Sequence, residues 1–494
     1  MNLTTAANIA QSGLATVSAE TGVLSRNISA SSDTSLYSRK IANVVTTSSG
    51  AQVVSVTRAY NQAVFENLLS ATAANAAQAA ISSGLDTLNQ TIGDVASSSS
   101  TASSTATSPA ALLAALTNAL QTYSASPSDS SAAAGVVSAA AALARGLNSA
   151  ATTVQQVRET ADAAMASSVA TINSLLGQFQ SLNTQVVAGL ATGADVTDAQ
   201  DQRDETLKQL SQQIGLSTTT DSNGGMSIYA DSGVTLFQGG NARTVSFAAT
   251  NIFTAATAGN AVYVDGVAVT GASAPMPIAS GGLAGNATLR DSATTTYQAQ
   301  LDNIAGALIN TFAESDQVGA GSKLPGLFTT PGAATLPATN AGLASSISVN
   351  ASVDPSQGSN ANLLRDGGIS GNADYVYNPS GAAGYTGRIS QLIGDLSATQ
   401  SFSSAGGITT NASLGDYASA SVSWLEGERS SASSQSSYQG ARLSTASTAL
   451  SNATGVNIDD QMSQMLDLER SYSASAQLLT SINTMFKSLV TALG

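Results

Sequence analysis

The chain contains neither cysteine nor histidine. Their absence excludes disulfides, thiol chemistry, the common zinc sites and histidine acid–base catalysis together. Charged residues make up only 10% of the chain and aromatics 4%. Ala, Ser, Thr and Gly fill the space, so helices approach closely while each side chain supplies little apolar area; long helices with modest cores, stabilised by assembly, are expected. Lysine occurs four times, at Lys40, Lys208, Lys323 and Lys487, in a chain of net charge -14. Nucleic-acid binding, which needs clustered cations to displace counterions, is therefore not expected. No run approaches the roughly 18 apolar residues of a membrane span, so no membrane insertion is expected. No basic residue precedes Arg26 and the first apolar positions are spaced, so no cleaved signal peptide is expected.

The two ends carry matching apolar stripes. Leu3, Ala7, Ala10, Leu14, Val17, Thr21, Leu24 and Ile28 fall at alternating steps of four and three. Ile458, Met462, Met465, Tyr472, Ala476, Leu479, Phe486, Val490 and Leu493 do the same, with Glu469 and Asn483 as polar members. Such spacing gives each end a seam that wants a partner helix. Isolated helices this rich in Ala and Thr are marginal in water and need partners to persist. The expected assembly interface is Leu3, Leu14, Val17, Leu24, Ile28, Ile458, Met462, Met465, Tyr472, Leu479, Phe486, Val490 and Leu493.

Between the ends the period is first helical. Residues 3 to about 29 predict a helix, Ser29 to Lys40 an irregular loop, Val53 to Tyr60 a strand and Ala63 to about Val95 a helix. Ser97 to Pro109 is a Ser/Thr run that predicts a loop. Helices follow at Ala110 to Tyr123, Val136 to Leu190 and Asp201 to Leu210. At Gly215 the pattern turns to short alternating segments: Met226 to Tyr229, Val234 to Phe237, Val245 to Phe247 and Ala261 to Val269. Val264-Asp265-Gly266-Val267 signals a hairpin, because Asp-Gly tolerates the positive φ of a type I′ turn. Helix resumes at Thr296 and returns at Gly387 to Ser397, Leu414 to Leu450 and from Asn457, a candidate N-cap. Gly319 to Gly384 is Gly/Pro/Ser-rich and leaves its structure open. The fold expected is mainly α with an inserted β domain and paired N- and C-terminal coiled-coil helices, an elongated multi-domain subunit. Its divisions are 1–34 with 455–494 as the terminal coiled coil, 35–214 with 287–454 as the helical body, and 215–286 as an inserted β-rich outer domain, expected to be dispensable for folding of the rest because its ends meet helices of one domain.

No catalytic, cofactor-binding or metal-ligating set emerges. Asp201-Gln202-Arg203-Asp204-Glu205 is the densest charged cluster, expected to be a solvated or interdomain ion-pair face with Asp204 and Lys208 as i,i+4 partners. Asp221, Asn223 and Gly225 lack the terminal Glu of a calcium loop and predict a hairpin turn. Gly281-Gly282, Gly319 and Gly321 precede no Lys-Ser or Lys-Thr, so no phosphate loop is encoded. Trp424, the single tryptophan, is expected to pack between helices.

Gly13-Leu14, Asn27-Ile28 and Tyr37-Ser38-Arg39, with Gly455 to Asp460 and then Met465, Leu468, Tyr472, Ala476, Met485, Phe486 and Leu489, resemble the terminal signatures of the bacterial flagellar rod, hook and hook-associated axial proteins. Inside, Asp201 to Asp204 with Leu207 and Leu210, Gly281 to Asp291 leading into Tyr297 to Phe312, and Gly326-Leu327-Phe328 resemble the hook-associated members at the hook–filament junction. The resemblance implies a non-enzymatic, extracellular flagellar subunit, exported through the type III channel without a cleaved signal. It implies as partners a ring of like subunits, the hook protein, the next hook-associated protein toward the filament, and an export chaperone on the C-terminal helix. The alternatives are another axial protein, a hook protein or filament-type subunit, or a secreted adhesin; a hook protein would be mostly β where Val136 to Leu190 is helical.

Overall fold

The computed structural model describes residues 3–31, 37–93 and 107–493. The chain opens with helix α1 (Leu3–Ala30), the antiparallel hairpin β1 (Lys40–Thr47) and β2 (Gly50–Arg58), and α2 (Gln62–Asn89). The first strand was not expected. Lys40 to Thr47 alternates weakly and pairs with β2 from Lys40 opposite Arg58 to Thr47 opposite Gly50. Of the two predicted loops, 32–36 and 94–106 lie outside the described residues, and Pro109 already belongs to the next helix.

That helix, α3 (Pro109–Ala125), starts where the Ser108 side chain accepts from the Ala111 N–H and proline occupies a first-turn position whose N–H has no helical partner. Next, α4 runs unbroken over Ser130–Thr192, about 95 Å at 1.5 Å per residue. Asp129 caps its start by accepting from Ser131 and Ala132, and Gly193, at φ 73°, ends it in the left-handed conformation that glycine adopts without strain. After α5 (Thr197–Gln213) come β3 (Leu216–Thr220), β4 (Met226–Ala230), β5 (Thr235–Gln238) and β6 (Asn241–Ala242) in one sheet. A second sheet holds β7 (Val245–Ser246), β8 (Tyr263–Val264) and β9 (Val267–Ala268). Asp265 and Gly266 have φ of 46° and 82°, as a type I′ turn requires. Asp221 to Gly225 forms the β3–β4 turn, and among the described residues no acidic cluster could hold a metal.

Helix returns earlier than expected, at α6 (Gly282–Thr288), and passes through a π-turn at Leu289–Ala293 into α7 (Thr294–Thr311). The region whose structure was open contains the short helices α8 (Leu343–Ser346) and α9 (Leu363–Asp366). The chain closes with α10 (Gly387–Ser397), α11 (Leu414–Thr454) and α12 (Ile458–Leu493). Asn457 caps α12 as expected, accepting from Asp459 and Asp460.

Two apolar cores share α4. Val136 to Ala161 of α4 pack with α3, α7 and α11, where Trp424 is half-buried and its ring stacks on Tyr297 at 6.5 Å. Met165 to Phe179 pack with the start of α2, with α5, and with the β strands through Ile228, Leu236, Phe237, Val245 and Val264. The β segment therefore shares its core with α2, α4 and α5, which argues against its being dispensable for folding of the helices. Its strands are two to five residues long, too short to bury their apolar faces on each other. Phe237 meets Phe179 edge-on at 4.9 Å, and Phe237→Ala is expected to remove about 3–5 kcal/mol from the helical unfolding transition itself. Circular dichroism at 222 nm through a urea titration checks this: an unchanged helical midpoint would mean that the β segment does unfold alone.

Candidate assembly interface

Neither α1 nor α12 contributes to the two cores; they pair with each other. The Asn27 side chain meets Gln461, and a Cβ at Gly13 would lie 3.7 Å from Ser475 Oγ. Moving back along α1 thus moves forward along α12, so the pair is antiparallel. On α1 the expected stripe is the covered face: Val17 and Leu24 are buried and Leu3, Leu14 and Ile28 half-buried.

On α12 the covered residues are Gln461, Met465, Leu468, Ser475, Ala476, Leu479 and Ile482. Of these, Gln461 and Ile482 are buried and were missing from the expected stripe. The sequence signal was there, a four–three spacing running through Gln461, Met465, Leu468, Ser475, Leu479 and Ile482, but its polar members hid it. Met465 and Leu479 lie in the seam, half-buried. Ile458, Met462, Tyr472, Phe486 and Val490 are exposed, as are Leu466, Leu478, Met485 and Leu489. The side chain of Leu493 lies outside the described residues. The α12 helix therefore presents one face to α1 and leaves a second apolar set to solvent, including its last two turns.

The hairpin clasps the pair. Gly50, at φ 123°, lets the hairpin turn come down on α1, where a Cβ would overlap Ser12, and Thr16 Oγ1 donates to the Ala51 carbonyl at 2.7 Å. At the hairpin base Asn27 accepts from Lys40 N–H (2.9 Å) and donates to Lys40 C=O (2.8 Å) and to Gln461 Oε1 (2.7 Å).

Below this lies a buried ionic cluster that joins the hairpin to α5. Lys40 Nζ donates to Asp201 at 2.6 Å, and Arg58 Nη1 to Asp201 at 2.9 Å and Asp204 at 2.6 Å. Ser38 Oγ donates to Asp201 at 2.6 Å and Tyr37 Oη to Asp204 at 3.0 Å. Both carboxylate side chains are 0% exposed, Lys40 2% and Arg58 7%. Burial pushes the Asp204 carboxyl up, with Arg58 pulling it back. Burial also opposes the charge on Arg58, but Asp204 and its neighbours more than offset this and hold the guanidinium protonated. Burial, then Asp204, raises the Tyr37 phenol and carries Tyr60 up to about 12, so both phenols keep their protons. At the rim Arg26 pairs with Asp195 at 2.8 Å.

Of the expected solvated or interdomain ion-pair face, the structure has the ion pairs but not the solvation. Lys208 pairs with Glu205 and not with Asp204, and the two aspartates point inward to cations over 140 residues away in sequence. Sequence spacing alone carries no sign of such partners. Each of the two carboxylates meets a cation and a hydroxyl, with Asp204 Oδ1 left without a partner, and the cluster fastens the hairpin to α5.

A family model described as the flagellar hook-associated protein FlgK helical domain matches residues 96–327, and the flagellar basal body rod FlgEFG protein C-terminal model matches 448–492. The second match covers α12 and the end of α11, and together the two span more than half of the chain. The middle of the chain is thus similar to the helical domain of a flagellar hook-associated protein, and its C-terminal end to the C-terminal segment of flagellar rod proteins. Flagellar hook-associated protein 1 of Salmonella typhimurium is 34% identical over 85 residues, 17% of this chain, and the protein of that name from Salmonella typhi aligns equally. The aligned stretch spans 15% of the length of those relatives. The solved structure of the flagellar hook junction protein FlgK from Burkholderia pseudomallei aligns at 23% identity with a TM-score of 0.41, over 54% of this chain and 46% of that one.

The ionic cluster is the seat of the hairpin that lies on the terminal helices. Asp201→Ala would strand Lys40 and Arg58 in a buried site, and breaking such a pair costs about 3–5 kcal/mol. We expect Asp201→Ala to lower the urea midpoint and to open the bonds after Lys40 and Arg58 to trypsin while α4 stays intact. Cleavage kinetics with mass spectrometry check this; a variant resistant at both bonds would show that the cluster does not hold the hairpin.

Proposed function

We propose that this protein is the subunit that joins hook to filament, forming a ring of like copies between the hook protein and the next hook-associated protein toward the filament. The observation that carries this reading is the unpartnered apolar set on α12. An α-helix with this much exposed Leu, Met, Phe and Val is not self-sufficient in water, and each side chain buried against a neighbour contributes about 1.5–3 kcal/mol. The terminal pair stands outside both cores, so such contacts form without disturbing the body. The name of the Salmonella relatives, flagellar hook-associated protein 1, points the same way. The protein acts outside the cell, as part of the flagellum, and an export chaperone binds α12 before assembly. Chaperone and neighbouring subunit would then compete for the same face, so release precedes incorporation. The division into a terminal coiled coil, a body and an outward-facing β region belongs to the same reading.

Phe486→Asp tests it. Phe486 is 36% exposed and lies near the free end of the α1–α12 pair, so the monomer is expected to unfold close to the unaltered temperature and to be exported. Cells should build hooks without filaments and release unpolymerised filament subunit into the medium, scored by electron microscopy and immunoblotting. Leu479→Asp is the contrasting variant: Leu479 is half-buried in the α1 seam, so it should also loosen the terminal pair. Normal export of the Phe486 variant with normal filaments would remove these residues from the junction.

A further inference from the structure

The α1–α12 seam is built largely from side chains that any heptad register could match. Leu24, Val17 and Ala10 are buried on α1, and Met465, Leu479 and Ile482 are covered on α12, along an antiparallel pair whose spacing repeats every seven residues. Sliding one helix by a heptad would re-pack similar groups. One layer differs. Asn27 and Gln461 are each 1% exposed, and the Asn27 amide is fully engaged, holding Lys40 N–H and C=O on one side and Gln461 Oε1 on the other.

We propose that the Asn27–Gln461 pair sets the register of the terminal helices and thereby fixes how far the apolar end of α12 projects. Because the hairpin holds Asn27 in place, Gln461 is the group that can be wrongly seated. A slip that brought Leu468 opposite Asn27 would leave Gln461 without its partner and Asn27 against a leucine. The opposite slip is closed by the chain itself, since it would pull Thr454 away from the Arg39 N–H that it accepts at 2.8 Å. In the observed register the start of α1 lies opposite Met485, and Phe486 to Leu493 continue beyond it by about 12 Å. The open slip would draw α12 back by about 10 Å and lay Phe486 and Val490 alongside α1. A buried polar pair that costs stability but specifies register is a known use of such groups in coiled coils.

The absence of native cysteine makes the register directly readable. Ser475→Cys is combined in turn with Gly13→Cys, the observed neighbour, with Glu20→Cys, which the open slip would bring opposite, and with Ala6→Cys, which the closed slip would. Oxidation of the purified full chain should join 475 to 13 about ten-fold faster than to 20 or 6, the factor that an unmade buried hydrogen bond implies. Gln461→Leu should bring the rate at 20 to within about three-fold of that at 13 and leave 6 unreactive. Gln461→Leu combined with Leu468→Gln should move the dominant cross-link to 20, and it restores an amide opposite Asn27 should the single variant fail to fold. Persistence of the 13–475 cross-link alone in both backgrounds would overturn the proposal in favour of the Gly455 to Asn457 tether. So would equal rates at all three positions in the chain with Gln461 intact.

Discussion

The buried contact of Lys40 and Arg58 with Asp201 and Asp204 is the constraint on which the rest of the arrangement depends. The cations come from the hairpin that lies on α1, and the carboxylates from a helix packed on α4. Three parts with different apolar surfaces thus meet where none buries enough hydrophobic area to fix the others. Charges seated out of water are expensive singly, and this makes the joint selective: only the geometry in which every donor finds its oxygen is tolerable. The phenols of Tyr37 and Tyr60, kept protonated by burial and by Asp204, close the cluster on the side of α2.

Much of the fold was legible in the sequence, because long helices with regular apolar spacing state their type plainly. The α4 helix, the return of helix at Gly387 and Leu414, the Asn457 cap and the Asp265-Gly266 turn all follow from local chemistry. What escaped depended on distant partners. The first hairpin strand reads weakly because most of it is exposed, Ile41, Val44 and Val45 included, and the helix from Gly282 continues through a π-turn, where Arg290 reaches Asp162, into α7. The site divides in the same way: the α1 stripe packs within the chain, the α12 stripe lies partly on the face left to solvent, and Gln461 carries no apolar signal because polar residues in a seam do not look like core.

The terminal signature and the interior Asp201 to Asp204 segment read as separate motifs along the chain. In the folded protein they are the two halves of one joint. Tyr37 and Ser38 reach Asp204 and Asp201, while Asn27 ties the Lys40 backbone to α12. Residues that look like a linear label are therefore the contacts by which the ends of the chain find its middle.

The two cores meet within one turn of α4, between Ala161 and Met165, and there Asp162 receives Arg290 at 2.5 Å while Arg158 reaches the carbonyls of Thr254 and Thr257. Bodies that flex do so at linkers, and this one has none at its waist. To bend it, intrahelical hydrogen bonds would have to break beside a buried ion pair. Among the described residues the two cores are thus joined by an unbroken α4, so bending there would strain the helix itself.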